Sequence, residues 1–352
     1  MAATNTEYPE LLYEYLNGFI KTWSLVAAVD LKIFDHLEGA GKPLKATEVA
    51  KNLELNAPYT KRFLDVLTAM KLVKKNSEEE TYTNEPLSSK YLVRSSPDCM
   101  AGAAVYERTI EIPTQAWLAN AIRTGDSQLE NAIGVPADKI FDTEIGCYKT
   151  PQEQYEFIDG QEGIAIGMTN KCLTSFDLSE FKTAVDVGGG SGVNTWALAR
   201  LYPDMEITHF DLPVVLQYRE KFMPKNAKQY KVKTHEGNFF EDPIPSADLY
   251  LVSHVFHDHP VAKSVGLVKK LFGSLNPGGA IVILETFWNN EKTGPLKAAM
   301  DEARFLALLR DSYIRSPNDF SDILKQAGFV DVQVSWVEGE AWSDTIMARK
   351  PK

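Results

Sequence analysis

Apolar side chains recur at three- and four-residue intervals through residues 8–38. Leu12, Leu16, Phe19, Ile20, Trp23, Val26 and Ala27 fall on one stripe, which predicts a long helix with a single apolar face. A further helix is expected over 46–53, opened by Thr47 and stopped by 52–56. Another is expected over 58–72, with Phe63, Leu64, Leu67 and Met70 on one face. Residues 73–83 predict a small hairpin turning at 76–80. Helix, turn, helix and a two-stranded wing make a winged-helix pattern. Residues 100–180 are expected to be mostly helical, around a loop of small and polar residues at 134–151.

From Phe181 the pattern changes to compact apolar strands alternating with helices. Strands are expected at 183–187, 206–210, 229–235, 248–253 and 280–285, with a helix at 194–201. Asn276-Pro277-Gly278-Gly279 stops the helix before the last of these strands. Ser316 and Pro317 open a later helix and Gly328 closes it. Residues 330–337 and 344–349 predict a closing hairpin. Such alternation means a mostly parallel sheet covered by helices, an α/β fold.

Composition narrows the function classes. The chain has 352 residues, enough for about two domains. A net charge of −11 argues against nucleic acid and anionic membrane surfaces as partners. Residues 41–95 hold ten Lys and Arg against seven Asp and Glu, too small an excess for a groove-reading face. Cys99, Cys147 and Cys172 are odd in number and widely spaced, which suits a reducing cytosol and gives no zinc motif. The first residues carry acids and lack a basic flank and an apolar run, so no signal peptide is expected; no apolar run is long enough for a membrane span. The expected location is cytoplasmic.

The sharpest motif runs from Val185 through Asp186, Val187, Gly188, Gly189, Gly190 and Ser191 to Gly192, after a strand and before a helix. Glycines there let the backbone approach a ligand, and the helix start offers free N–H groups. Asp211 ends the next strand, 19 residues beyond Gly192, where a carboxylate can hold both hydroxyls of a ribose. A dinucleotide fingerprint needs a third small residue three positions after its second glycine. Val193 stands there and disfavours a docked pyrophosphate. Asp186 suits a cofactor with an amino group and no phosphate, and S-adenosyl-L-methionine is such a cofactor.

A second cluster, Ser253-His254-Val255-Phe256-His257-Asp258-His259, ends a predicted strand, the end at which open α/β sheets bind ligands. His254 and His257 lack the i, i+4 spacing of helical metal ligands, and no second ligand cluster is evident, so no metal is expected. Imidazole titrates near neutral pH and can take a proton from a hydroxyl or an amine. Glu285 ends the next strand, where parallel pairing would bring it beside His257 to orient the ring and steady its charge.

Taken together these stretches resemble the acetylserotonin/caffeate-type O-methyltransferase family, nearest to its animal, melatonin-forming branch. The matching segments are 27–36, 173–179, 186–192, 236–243, 247–250 and His257-Asp258, and the likeness covers nearly the whole chain. It implies a helical, winged-helix-like dimerisation domain over 1–110. A Rossmann-like methyltransferase domain would follow over 111–352. The cofactor would be S-adenosyl-L-methionine, leaving as S-adenosyl-L-homocysteine, with no metal. By resemblance Gly188, Gly190, Leu212, Gly237 and Ser253 line the cofactor and Asp211 holds its ribose. Asn238 and Phe239 flank the adenine, and Tyr148 meets the cofactor. His257 is the base, with Glu285 and Asp258 as catalytic carboxylates. Phe305, Leu306 and Leu309 line the acceptor.

The chain departs from the family's pattern in five respects. Asn238 stands for an Asp, His259 for a Trp, and Ser253 and His254 where a cation is common. Ile314 replaces a second acid, and Phe305 replaces a pocket Asn that meets the indole-amide substrate. The expected function is methyl transfer to the hydroxyl of a small aromatic or otherwise planar acceptor by a homodimer joined through residues 8–120. Two alternatives stay open. One is N-methylation of a small nitrogenous acid held by Arg304 or Arg310. The other is a catalytically inactive binding or regulatory protein of winged-helix type.

Overall fold

The apolar stripe of the first helix meets two fates. Its C-terminal end, with Val26, Ala28 and Val29, is buried, while Leu12, Leu16, Phe19, Ile20 and Trp23 stay exposed. The computed structural model describes residues 9–167, 169–338 and 343–352. It divides into two compact units, Met1–Glu107 and Arg108–Lys352.

In the first unit, the single helix expected over 8–38 is two helices, α1 (Glu10–Asp30) and α2 (Ile33–Gly39). The break falls at Lys32, whose left-handed backbone (φ 55°) cannot continue a helix; residue 8 lies outside the described residues. A short strand β1 (Leu44–Lys45) precedes α3 (Ala46–Asn52). Lys45, not Thr47, caps α3: its backbone N–H donates to Glu48 at 2.8 Å. Asn56 caps α4 (Ala57–Ala69) by accepting from the Tyr59 N–H. The wing is β2 (Val73–Asn76) and β3 (Thr81–Asn84), and β1 makes it a three-stranded sheet in the order β1-β3-β2. Helices α5 (Pro86–Tyr91) and α6 (Ala101–Tyr106) complete the unit. Its core joins Val26, Ile33, Phe34, Leu37, Val49, Leu64, Leu67 and Tyr82.

The second unit begins with short helices α7 (Ile112–Gln115), α8 (Leu118–Thr124) and α9 (Leu129–Ile133). The longer α10 (Pro151–Ala165) and α11 (Thr169–Leu173) follow. The sheet then builds from β4 (Thr183–Val187), α12 (Val193–Leu201), β5 (Glu206–Asp211), the single turns α13 (Pro213–Leu216) and α14 (Arg219–Phe222), and β6 (Val232–Glu236). It continues through β7 (Ala247–Ser253), α15 (Val261–Ser274), β8 (Leu275–Glu285), α16 (Leu296–Leu308), α17 (Pro317–Ala327), β9 (Val330–Ser335) and β10 (Asp344–Arg349). Ser316 and Gly328 bound α17 as the sequence predicts. The Asn-Pro-Gly-Gly stretch is different: it lies within β8, whose register shifts near its start.

Seven strands run in the order β6-β5-β4-β7-β8-β10-β9. The first five are parallel, β10 is antiparallel to β8, and β9 to β10. Central strands are covered on both faces: Val185, Val187, Tyr250 and Val252 enter one core, Ala184, Leu249 and Leu251 the other. Chain order reverses at β4, flanked by β5 and β7, and this opens a crevice at the carboxyl ends of those strands. Lys297 of α16 and Asp344 of β10 form a fully buried ion pair at 2.7 Å that ties the outer strands to the helical layer. Stranding one member of such a pair costs about 3–5 kcal/mol. Among the described residues no helix is long and apolar enough to cross a membrane.

Candidate active site

The glycine loop forms one half of the crevice. Gly188 has φ +69°, and a Cβ on it would stand 3.2 Å from both Phe239 and Val255, so only glycine fits. At Gly189 a Cβ would stand 2.5 Å from the His209 ring. The Gly188 N–H donates to the Phe210 carbonyl at 2.9 Å. Asp211 accepts from the N–H groups of Gly190 and Leu212, each at 2.7 Å, so the carboxylate at the end of β5 sets the loop that follows β4. The Gly237 N–H reaches the Asp211 carbonyl at 3.0 Å. Asn238 closes a local turn by accepting from the Phe240 N–H, which uses one of its two carbonyl lone pairs.

The carboxyls around this loop are unusual. Burial pushes both Asp186 and Asp211 up to about 6. Asp186 has no solvent exposure and accepts from the Thr195 hydroxyl at 2.6 Å. Tyr148 is buried edge-on against Phe157; burial, then the charges of Asp211 and Asp258, hold its hydroxyl well above the usual range. Those two charges lie on opposite halves of the crevice, and Tyr148 senses both.

The other half is the turn after β7. Parallel pairing of β7 with β8 sets Ser253 opposite Leu284, with Glu285 one residue further on. His257 Nδ1 lies 2.6 Å from Glu285 Oε2, while Glu285 Oε1 accepts from the Phe256 and His257 N–H groups at 2.8 and 3.4 Å. Asp258 stands 3.4 Å from Nε2. Burial disfavours the imidazolium, but Glu285 and Asp258 outweigh it and raise the pKa of His257 from 6.5 to about 9. Burial also opposes ionisation of Glu285, yet the His257 charge wins and holds its carboxyl low. The Phe305 ring covers the imidazole, with centroids 4.5 Å apart and planes 33° from parallel. Leu309 is buried with it, whereas Leu306 is exposed. His254, His257 and Glu285 also bring ligand-type atoms within 4.8 Å of one another. Here they serve hydrogen bonds, His254 Nε2 meeting Ser343 Oγ at 2.7 Å; a cation would have to replace the 2.6 Å contact.

Three neighbours of this turn are not among the residues that the sequence assigns to the site. Arg315 is fully buried and donates to the carbonyls of Phe256 at 2.5 Å and His259 at 2.6 Å, clamping the turn on both sides of His257. Asp301 accepts from Thr286 and Arg304 and adds a charge that favours the imidazolium. Ser343 is the third. The buried Ile314 uses its N–H on Glu302, and its side chain offers no acid. The two arginines considered for an acidic acceptor already have carboxylate partners: Arg304 pairs with Asp301 and Glu111, Arg310 with Asp126.

The crevice fits S-adenosyl-L-methionine on these grounds. Carboxyls raised by burial favour a cation, and the missing Cβ at Gly188 lets the Phe239 ring pack against the loop. Such a crevice, in a sheet of this order closed by an antiparallel hairpin, belongs to an S-adenosyl-L-methionine-dependent methyltransferase of Rossmann-like fold. Residues 116–330 match the sequence profile of the O-methyltransferase domain, and residues 13–94 that of the O-methyltransferase dimerisation domain. The chain belongs to this O-methyltransferase family. It is 32% identical to human acetylserotonin O-methyltransferase over 99% of this chain and 100% of the relative. The chicken enzyme of that name is 31% identical over 98% of both chains. The crystal structure of human N-acetylserotonin methyltransferase in complex with SAM superposes with a TM-score of 0.89, at 31% identity and full coverage of both chains.

The tight packing beneath the loop gives a direct expectation. Gly189→Ala should push the loop off His209 and weaken S-adenosylhomocysteine binding about ten-fold or more, read by titration calorimetry. A Gly189→Ala/His209→Ala double variant should recover part of the loss. Unchanged affinity in the single variant would detach the loop from cofactor binding.

Proposed function

We propose that the chain methylates the hydroxyl of a small, planar aromatic acceptor, with His257 as the general base. The observation that carries this reading is the 2.6 Å contact between His257 Nδ1 and a buried Glu285. It assigns the Nδ1 proton to Glu285 and leaves Nε2 as the nitrogen able to accept one. Bound S-adenosyl-L-methionine supplies a methyl group made electrophilic by its sulfonium, held by the glycine loop, Asp211, Asn238, Phe239 and Tyr148. Phe305 and Leu309 give the acceptor an apolar wall, and the tilt of Phe305 over the imidazole favours a flat ring. As the acceptor oxygen forms its bond to the methyl carbon, its proton passes to Nε2. Glu285 and Asp258 stabilise the imidazolium that results, and the proton leaves to solvent.

The raised pKa has a cost for this role: without cofactor the imidazole holds its proton at neutral pH. A bound sulfonium repels that charge and lowers the pKa towards the working range. Turnover should therefore rise with pH along a limb lying above the ordinary histidine value of 6.5. Glu285→Gln removes the main charge that raises the pKa, so it should move the limb to lower pH and lower the plateau. His257→Ala should lose about 10²–10⁴-fold in turnover while still binding cofactor, the usual scale for loss of a general base. A flat profile from pH 6 to 9.5 with full turnover in His257→Ala would leave alignment alone as the mechanism.

Ile314 and Phe305 set the acceptor. An apolar side chain at 314 leaves that flank without an acid, and Phe305 narrows the space over the base. N-acetylserotonin should be a poor substrate and a more compact phenol a better one. A radiolabelled methyl-transfer screen over a cell extract, with N-acetylserotonin included, decides the matter; if that compound is methylated best, the reading of these two positions fails and the base assignment stands.

The working form we propose is a homodimer joined through the dimerisation domain. The exposed face of Leu12, Leu16, Phe19, Ile20 and Trp23 is too apolar to leave in water. Light scattering at micromolar concentration should give twice the chain mass, and Phe19→Glu/Trp23→Glu should shift it towards monomer. A stable wild-type monomer would refute the assignment.

A further inference from the structure

Helix α10 carries an acid that the mechanism above does not use. Glu162 sits opposite the glycine loop, and the Ser191 hydroxyl, inside that loop, donates to its Oε2. The buried positions of α10 are Phe157, Ile158, Gly160 and Gly163, and Glu162 itself is half-buried. Its carboxyl lies deep among protein atoms while part of the side chain stays open to solvent.

Charge is what marks this residue out. Among the described residues Glu162 has no ion pair. Asp159 of the same helix adds a like charge, and the exposed Arg200 of α12 acts on it only weakly. Burial accordingly pushes its pKa up to about 7. A carboxyl set this deeply costs stability unless a cation or several donors satisfy it, and one serine hydroxyl is a small compensation. Its two acidic neighbours are committed elsewhere: Asp186 is sealed under the loop against Thr195, and Asp211 takes the N–H groups of Gly190 and Leu212.

We infer that Glu162 is the residue that receives the ammonium group of the cofactor's amino-acid tail. The inference rests on the glycine loop and Asp211 holding the nucleoside, as proposed above. The nucleoside end carries no ammonium, so the two ends of the ligand are read by different carboxylates. Ser191 holds the Glu162 carboxyl at the loop, which sets where the tail lies.

The test compares two ligands by titration calorimetry. S-adenosylhomocysteine carries the amino-acid tail, and 5′-methylthioadenosine has the same nucleoside without it. Glu162→Gln keeps the shape and can still accept from Ser191. It should weaken S-adenosylhomocysteine about ten-fold or more and change 5′-methylthioadenosine less than two-fold. Ser191→Ala, which keeps the carboxylate, should cost less than Glu162→Gln, and Glu162→Asp should recover part of the affinity. Equal losses for both ligands, or a loss in Ser191→Ala as large as that in Glu162→Gln, would make Glu162 a structural tether and overturn the inference. So would unchanged S-adenosylhomocysteine affinity. The parallel Asp211→Ala variant should weaken both ligands; if it weakens neither, the nucleoside assignment falls and takes this one with it.

Discussion

A carboxylate that water cannot reach, at the end of β8, holds the turn that carries His257. Glu285 is almost fully buried, and a buried charge must be met by donors and a counter-charge. It gets the N–H groups of Phe256 and His257 and the His257 ring. These contacts fix the turn after β7, and Arg315 closes it from the other side through two carbonyls. The position of the imidazole is therefore not a property of a loop. It follows from the pairing of two adjacent parallel strands, which is set by the core on both faces of the sheet.

The cofactor half is organised by the same means. Asp211 belongs to β5 but orders the loop after β4, so two strands must be in register before that half exists. Around it lie carboxyls whose ionisation burial opposes, and a cationic ligand relieves that opposition. The two halves are also linked through charge: Tyr148 feels both Asp211 and Asp258.

Much of this was legible in the sequence because it rests on local rules. Periodicity separates the helical segment from the alternating one, and the cap at Ser316 and stop at Gly328 fall where propensity puts them. The adjacency of His257 and Glu285 follows from counting strands. What local rules missed depended on distant partners or on backbone strain. The break at Lys32 needs a left-handed residue that no propensity favours. Nothing near Arg315 or Ser343 signals that each reaches the turn around His257. Asp186 was legible as an acid beside the glycines, but not its complete burial against Thr195. Glu162 looks like any helical acid until the fold sets it against Ser191.

Strand β10 sits inside the sheet, between β8 and β9, although it follows both in the chain. Its first residue, Asp344, pairs with Lys297 and lies opposite Glu285, and Ser343 just before it bonds to His254. On a ribosome that segment emerges after every other part of the sheet. Until it inserts, β8 has an open edge, Lys297 lacks its counter-ion and the histidine turn lacks one of its props. The half of the crevice around His257 thus becomes whole only when β10 has inserted between β8 and β9.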